Sequence, residues 1–221
     1  MTVPLLLTLL ILPPQQEGAP VERPAVESHV SLTGLPARVG HDFVRLGRRE
    51  PLLTFAIGGA AAIAVHPADV AATHALGSSA AADTAFDAGA TGGNGFVQFA
   101  ASGAVYAIGR ATGSVRTQQV GSALLEAQSV GGLITQGLKY SVDRKRPDGG
   151  RYSFPSGHSA SVFATAEVLR RHFGWKVGLA AYAGAAYIAT SRLSERQHYL
   201  SDVVFGAAVG IAAGSTPLIR H

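Results

Sequence analysis

The sequence predicts an all-α fold, a single compact helical bundle of roughly six helices. Three observations predict it. Apolar stretches of helical length are separated by glycines and short turns, and no stretch alternates in the way a half-buried strand does. Hydrophobic residues make up 47% of the chain and charged residues 14%, against roughly 25% charged in ordinary soluble domains. The 27 glycines and many alanines suit close helix–helix contact.

From the amino terminus, Met1–Leu12 is an apolar run that ends at Pro13-Pro14. Its length fits the apolar region of a secretory signal, and Gly18-Ala19 offers a weak cleavage site, although no basic residue precedes the run. Residues 1–19 are therefore expected to be a signal or an apolar N-terminal segment. Residues 20–50 read as linker-like, with a short amphipathic piece near Val39–Leu46. Residues 51–221 are expected to form the helical domain.

Within that domain, Leu52–Val65 is apolar and helical in composition, and Pro67–Ala90 reads as a helix–loop segment opening at the proline. Phe96–Ile108 and Val120–Leu138 are the next helices. Ser156 has the character of an N-cap for a helix over His158–His172. Glu167 and Arg171 form a supportive i,i+4 pair there, and Gly174 stands as a C-terminal stop. Val177–Thr190 follows. A polar loop over Ser191–Gln197 leads to a last helix near Tyr199–Gly214. The apolar segments fall short of the about 20 residues that a bilayer span needs. The expectation is a compact bundle in the cell envelope, touching lipid, rather than a multi-span protein.

The chain has no cysteine, so disulfides, thiolate nucleophiles and Cys-ligated zinc are excluded. The formal charge of +4 is modest, and there is neither a recognition fold nor aromatic–basic interleaving. Nucleic-acid binding is not expected.

Chemistry concentrates between residues 139 and 202, in three ordered clusters. They are Lys139-x6-Arg146-Pro147, then Pro155-Ser156-Gly157-His158, then Ser191-Arg192-x5-His198-x3-Asp202. A phosphoryl group carries charge on equatorial oxygens that must be held while an axial bond breaks. Lys139, Arg146 and Arg192 can supply that grip, arginine as a planar fork and lysine as a point charge. Arg144, Lys145 and Arg151 lie in the same basic loop and read as solvated surface cations. Pro147 ends any helix and fixes the loop that aims Arg146.

Ser156 and Gly157 sit where a helix should begin, so free N–H groups and the helix dipole make an anion site there. His198 and Asp202 are four apart and share a face if the last helix has begun. The carboxylate can then hold one ring nitrogen and leave the other bare, as nucleophile or base. A facial metal set of His158, His198 and Asp202 is disfavoured by the surrounding cations. His29, His41, His66, His74, His172 and His221 lack such company and read as surface or loop residues.

Taken together, the clusters resemble the signature of the type-2 phosphatidic acid phosphatase superfamily, and every specified position is present in order. That group includes lipid phosphatases, class A acid phosphatases and vanadium haloperoxidases. The resemblance implies an all-α bundle and a metal-independent phosphatase with no cofactor. It implies His198 as the nucleophile forming a phosphohistidine, Asp202 as its orienting carboxylate and His158 as the general acid. Lys139, Arg146 and Arg192, with Ser156 and the Gly157 amide, would hold the phosphoryl oxygens. The expected substrate is a phosphate monoester or diphosphate on a lipid or a small molecule, and the expected location is exported, periplasmic or cell-envelope, with a membrane-associated or integral form left open. Two alternatives are a vanadate-dependent haloperoxidase and a non-catalytic helical membrane protein.

Overall fold

The structure, a computed structural model, describes residues 30–77 and 92–219. The expected signal segment, residues 1–19, and the second half of the Pro67–Ala90 segment lie outside the described residues. Every regular element described is helical. After a 3-10 turn at Leu32–Gly34, α1 spans Leu35–Arg45 and α2 spans Arg49–Val65. A second 3-10 turn, His66–Ala68, joins α2 to α3, Asp69–Gly77. Then come α4 (Gly95–Thr112), α5 (Val115–Val142), α6 (Gly157–Phe173), α7 (Trp175–Ser194) and α8 (Leu200–Ser215).

The boundaries follow local chemistry. The Asn94 side chain accepts from the backbone N–H groups of Phe96 and Val97 and starts α4. Gly113, at φ 70°, ends it in the left-handed region that glycine enters without strain. Ser114 caps α5 and Ser156 caps α6, the latter by accepting from Ser159 N. Asp202 Oδ2 accepts from Tyr199 N and closes the first turn of α8.

Four expectations change. The apolar stretch ending at Val65 continues through the 3-10 turn, where Pro67 sits at a position that needs no backbone donor. The joined helical run, Arg49–Gly77, is 29 residues long and, by length and composition, enough to cross a membrane. The amphipathic piece near Val39–Leu46 is the second half of α1. The loop expected from Ser191 starts later, because Ser191–Ser194 complete the last turn of α7 with Arg192 in it. Glu167 pairs with Arg170, at 2.6 Å, and with the Tyr182 hydroxyl. Arg171 instead donates to the carbonyls of Gly214 and Pro217.

The core lies where α5, α6 and α8 meet, with α2, α4 and α7 packed outside them. Val120, Ala123, Leu124 and Ala127 of α5 pack on Ala164 and Val168 of α6. On the other flank of α6, Val162 and Ala166 meet Ala185 of α7. The α6–α8 contact is set by Gly206, Gly210 and Gly214, one stripe at i,i+4 spacing. A Cβ built on Gly206 would lie 2.5 Å from the Ser156 carbonyl oxygen, and one on Gly210 would lie 2.2 Å from that of Ala160. The two backbones touch, and that contact brings the amino ends of both helices, with their histidines, side by side.

Gly210→Ala is therefore expected to destabilise the fold by about 3 kcal/mol, because backbone cannot yield as a side chain can. Gly103→Ala, whose Cβ meets nothing within 4 Å, should be neutral or slightly stabilising. Thermal unfolding of both variants checks this, and equal effects would refute the backbone-contact account.

Candidate active site

The loop between α5 and α6, residues 143–156, is tied by backbone bonds to the α7–α8 connection and to the first turn of α8. Asp148 N donates to Arg196 O at 3.1 Å, and Ser156 N donates to Asp202 O at 3.0 Å. Pro147 and Pro155 restrict the chain on either side. This cross-tying sets the basic cluster, the amino end of α6 and His198 around one space.

A cavity of about 390 Å³ opens there, with Lys139, Arg146, Gly157, His158 and His198 in its wall. Lys139 comes from the last turn of α5, Arg146 from the loop, Gly157 and His158 from the first turn of α6. The opposite wall carries Asn94 and Phe96 at the start of α4 and Gln128, Thr135 and Gln136 of α5. Lys139 Nζ donates to Tyr152 O at 2.6 Å, which anchors the ammonium with donors to spare. Arg146 donates to Gln197 Oε1. Its buried Nε has no hydrogen-bond partner among the described residues, so a donor remains for an oxyanion.

His198 is 3% exposed, and its Nδ1 lies 2.6 Å from the Ser153 carbonyl oxygen. A carbonyl only accepts, so Nδ1 carries the proton and Nε2 keeps its lone pair. Burial, then the charges of Lys139 and Arg146 and of His158, pushes the His198 pKa well below its ordinary 6.5. The ring is thus neutral and its free nitrogen is available as a base or nucleophile.

Three of the expected residues lie behind the wall rather than on it. Ser156 is fully buried and spends its oxygen as the N-cap of α6. Arg192 is 4% exposed, and its guanidinium donates to Ser191 Oγ and Glu195. Its backbone carbonyl accepts from His198 N at 3.2 Å, so α7 fixes the main chain of His198. Asp202, also fully buried, is 3.9 Å from His198 Nδ1, too far for the hydrogen bond expected from the i,i+4 spacing. The reason is that α8 begins at Leu200, so His198 precedes the helix and the i,i+4 geometry does not apply. Asp202 works one step removed. Its Oδ2 accepts from the Ser153 hydroxyl, and Ser153 presents the carbonyl that holds the ring.

Arg144 is the largest departure from the sequence reading. It is no solvated cation: it donates to Asp202 Oδ1 at 2.6 Å and to Asp69 Oδ2 at 2.7 Å. Its guanidinium also lies 4.3 Å from the centroid of the Tyr199 ring. Asp69 accepts in addition from Ser201 and from His66, whose Nδ1 is 2.8 Å away, so His66 too has acidic company. No local pattern announces this network, because Asp69 and Arg144 are 75 residues apart. Among the described residues, no group of three or more His, Asp or Glu converges on a common point as metal ligands would.

The chain resembles known proteins in sequence and in fold. Residues 145–217 match the family model described as the PAP2 superfamily. A lipid A 1-phosphatase of Porphyromonas gingivalis is 42% identical over 89 residues, covering 38% of this chain and 20% of that protein. The matched stretch thus spans about a fifth of the length of that curated relative. Two solved structures share the fold. One is LpxE of Aquifex aeolicus, with a TM-score of 0.55 and 21% identity over 66% of this chain and 92% of that one. The other is the first transmembrane PAP2 type phosphatidylglycerolphosphate phosphatase from Bacillus subtilis, with a TM-score of 0.60 and 23% identity. It covers 76% of this chain and 94% of that one.

Proposed function

We propose that the chain, whose residues 145–217 match the PAP2 superfamily model, is a metal-independent phosphatase acting on a phosphorylated lipid through a phosphohistidine. The observation that carries this reading is a single cavity wall holding Lys139, Arg146, Gly157, His158 and His198. Cations and a helix amino end face a neutral imidazole there, with a second imidazole beside it.

In this mechanism Lys139, Arg146 and the amides at the start of α6 hold the nonbridging oxygens of the phosphate. Arg192 and Ser156 support them from behind, Arg192 through the main chain of His198 and Ser156 by capping α6. The His198 Nε2 lone pair attacks phosphorus. The bond to the ester oxygen breaks, and His158 gives that oxygen a proton. A water then attacks the phosphorus of the phosphohistidine, His158 accepts its proton, and phosphate leaves as Nε2 recovers its lone pair. Asp202 steadies the ring through Ser153 and the Arg144 network.

A lipid substrate is supported by the outer surface. Leu52 and Ile57 of α2, Phe99 of α4 and Leu179 of α7 are all exposed, and α2–α3 is long and apolar enough to cross a bilayer. Phe96, at the cavity, is 82% exposed. Both named relatives with a stated substrate act on phosphorylated lipids by their titles. The reading places the protein in a membrane of the cell envelope. Hydrolysis of a phosphorylated lipid and of p-nitrophenyl phosphate in excess EDTA tests it. Turnover of both is expected, with the lipid preferred in kcat/KM. Activity that appears only on adding a divalent cation would overturn it.

The His198 environment sets the pH dependence. Its pKa lies below the ordinary value, so the nucleophile stays unprotonated as pH falls through 6.5 and is lost only at lower pH. The acid limb of kcat/KM, which reports the free enzyme, is therefore expected below pH 6.5. A limb at or above 6.5 would contradict the assignment of a desolvated, cation-flanked nucleophile.

A further inference from the structure

The end of the bundle away from the active site carries a second cationic pocket. A cavity of about 360 Å³ is walled by Arg45, Arg48, Arg49 and Arg171, with Glu50 and Leu218 at its side. It lies against the carboxyl end of α8, at Ser215 and Thr216, whereas His198 and Asp202 lie at the amino end. The 16 residues of α8 separate the two sites by roughly 24 Å.

The four arginines are not equally committed. Arg171 spends one Nη on the carbonyls of Gly214 and Pro217, and Arg45 is held by Asp42 at 2.7 Å and by Thr216 O. These contacts neutralise the carbonyls that end α8. Arg48 and Arg49 are exposed, and among the described residues neither guanidinium has a side-chain partner. Glu50 is the one acidic residue in the wall, and Asp42 is paired with Arg45, so the pocket keeps a net positive charge. The amino-terminal turn of α2, positive by its dipole, adjoins it.

The neighbouring surface is apolar in an unusual sense. Arg38, Asp42 and Arg45 of α1 turn inward, and Arg38 bonds Glu126 and Ser122 of α5. Phe43 and Val44 of the same helix face outward, and Leu52 and Leu53 of α2 and Leu218 are exposed around the pocket. Water is a poor surround for such an arrangement, and a lipid interface is a good one.

We propose that this pocket binds the phosphate of an anionic phospholipid headgroup, with Arg48 and Arg49 as its principal donors. The acyl chains would run along the apolar residues of α1 and α2. The site is separate from the catalytic cavity and has no part in hydrolysis. It anchors the far end of the bundle in a leaflet that carries negative charge.

The test uses the full chain purified in a neutral detergent. Thermal stability is titrated with phosphatidylglycerol, with phosphatidylcholine and with inorganic phosphate, and hydrolysis of p-nitrophenyl phosphate is measured in parallel. Phosphatidylglycerol is expected to raise the unfolding temperature far more than the other two. Arg48→Gln combined with Arg49→Gln should weaken that response roughly thirtyfold, since each arginine near a lipid surface adds about fivefold. Hydrolysis by the double variant should stay unchanged, so a failure here is distinct from a failure of the phosphatase reading. An undiminished response in the double variant overturns the site. An equal response to inorganic phosphate overturns the lipid assignment in favour of a free anion. In the parent protein the response should shrink as salt is added, and a salt-insensitive response also contradicts the proposal.

Discussion

His198→Ala is expected to lower kcat by at least about 10⁴-fold, while KM changes little. The size follows from the proposed role of His198 as the nucleophile on which every turnover depends. The unchanged KM follows from the rest of the wall. Lys139 and Arg146 reach the cavity from α5 and the loop, on anchors of their own at Tyr152 and Gln197, so the phosphate grip survives without the ring. His198 is buried, and its truncation removes the side-chain hydrogen bond to Ser153 O. Circular dichroism and retained binding of inorganic phosphate separate loss of chemistry from loss of fold. A variant that keeps a tenth of parental kcat would remove His198 from the reaction.

The second large effect belongs to His158. Its alanine variant is expected to lose about 10²- to 10⁴-fold in kcat/KM on alkyl phosphates. On p-nitrophenyl phosphate the loss in kcat/KM, which ends at transfer to His198, should be far smaller, because nitrophenolate departs without a proton. The structural basis is position: His158 is in the first turn of α6 and lines the same cavity as His198. It is also close enough to weigh on the charge of the His198 ring. In the proposed mechanism the same imidazole activates the water in the second half of the reaction, so the variant should build up phosphorylated enzyme on a substrate with a good leaving group. Equal losses on both classes of ester would contradict a proton-donor role.

Much of this was legible in the sequence, for identifiable reasons. Ser156 as an N-cap and Gly174 as a helix stop are local rules, and both stand where those rules put them. Lys139, Arg146, Gly157, His158 and His198, drawn from all three clusters, line one cavity, and of the helix ends involved the start of α6 is marked locally, by Pro155, Ser156 and Gly157. What the sequence hides depends on distance along the chain. Arg144 reads as a surface cation until Asp69, far upstream, is folded against it. Asp202 reads as the direct partner of His198 on spacing alone. The late start of α8 hands that task to a main-chain carbonyl, which no side-chain pattern records. The i,i+4 rule likewise offers Arg171 to Glu167. Tyr182 and Arg170 take the carboxylate instead, and the carbonyls ending α8 claim Arg171. Length misled in the same way at α2, where a 3-10 turn carries the helix past a proline that seemed to divide it.

The account turns on a phosphorus–nitrogen bond at one ring. Rapid alkaline quenching of the His158→Ala variant during turnover of ³²P-labelled p-nitrophenyl phosphate measures that bond most directly. The label is expected on the peptide bearing His198, stable in alkali and released in acid. Turnover that proceeds with no label on the protein, or with label on another side chain, would contradict it.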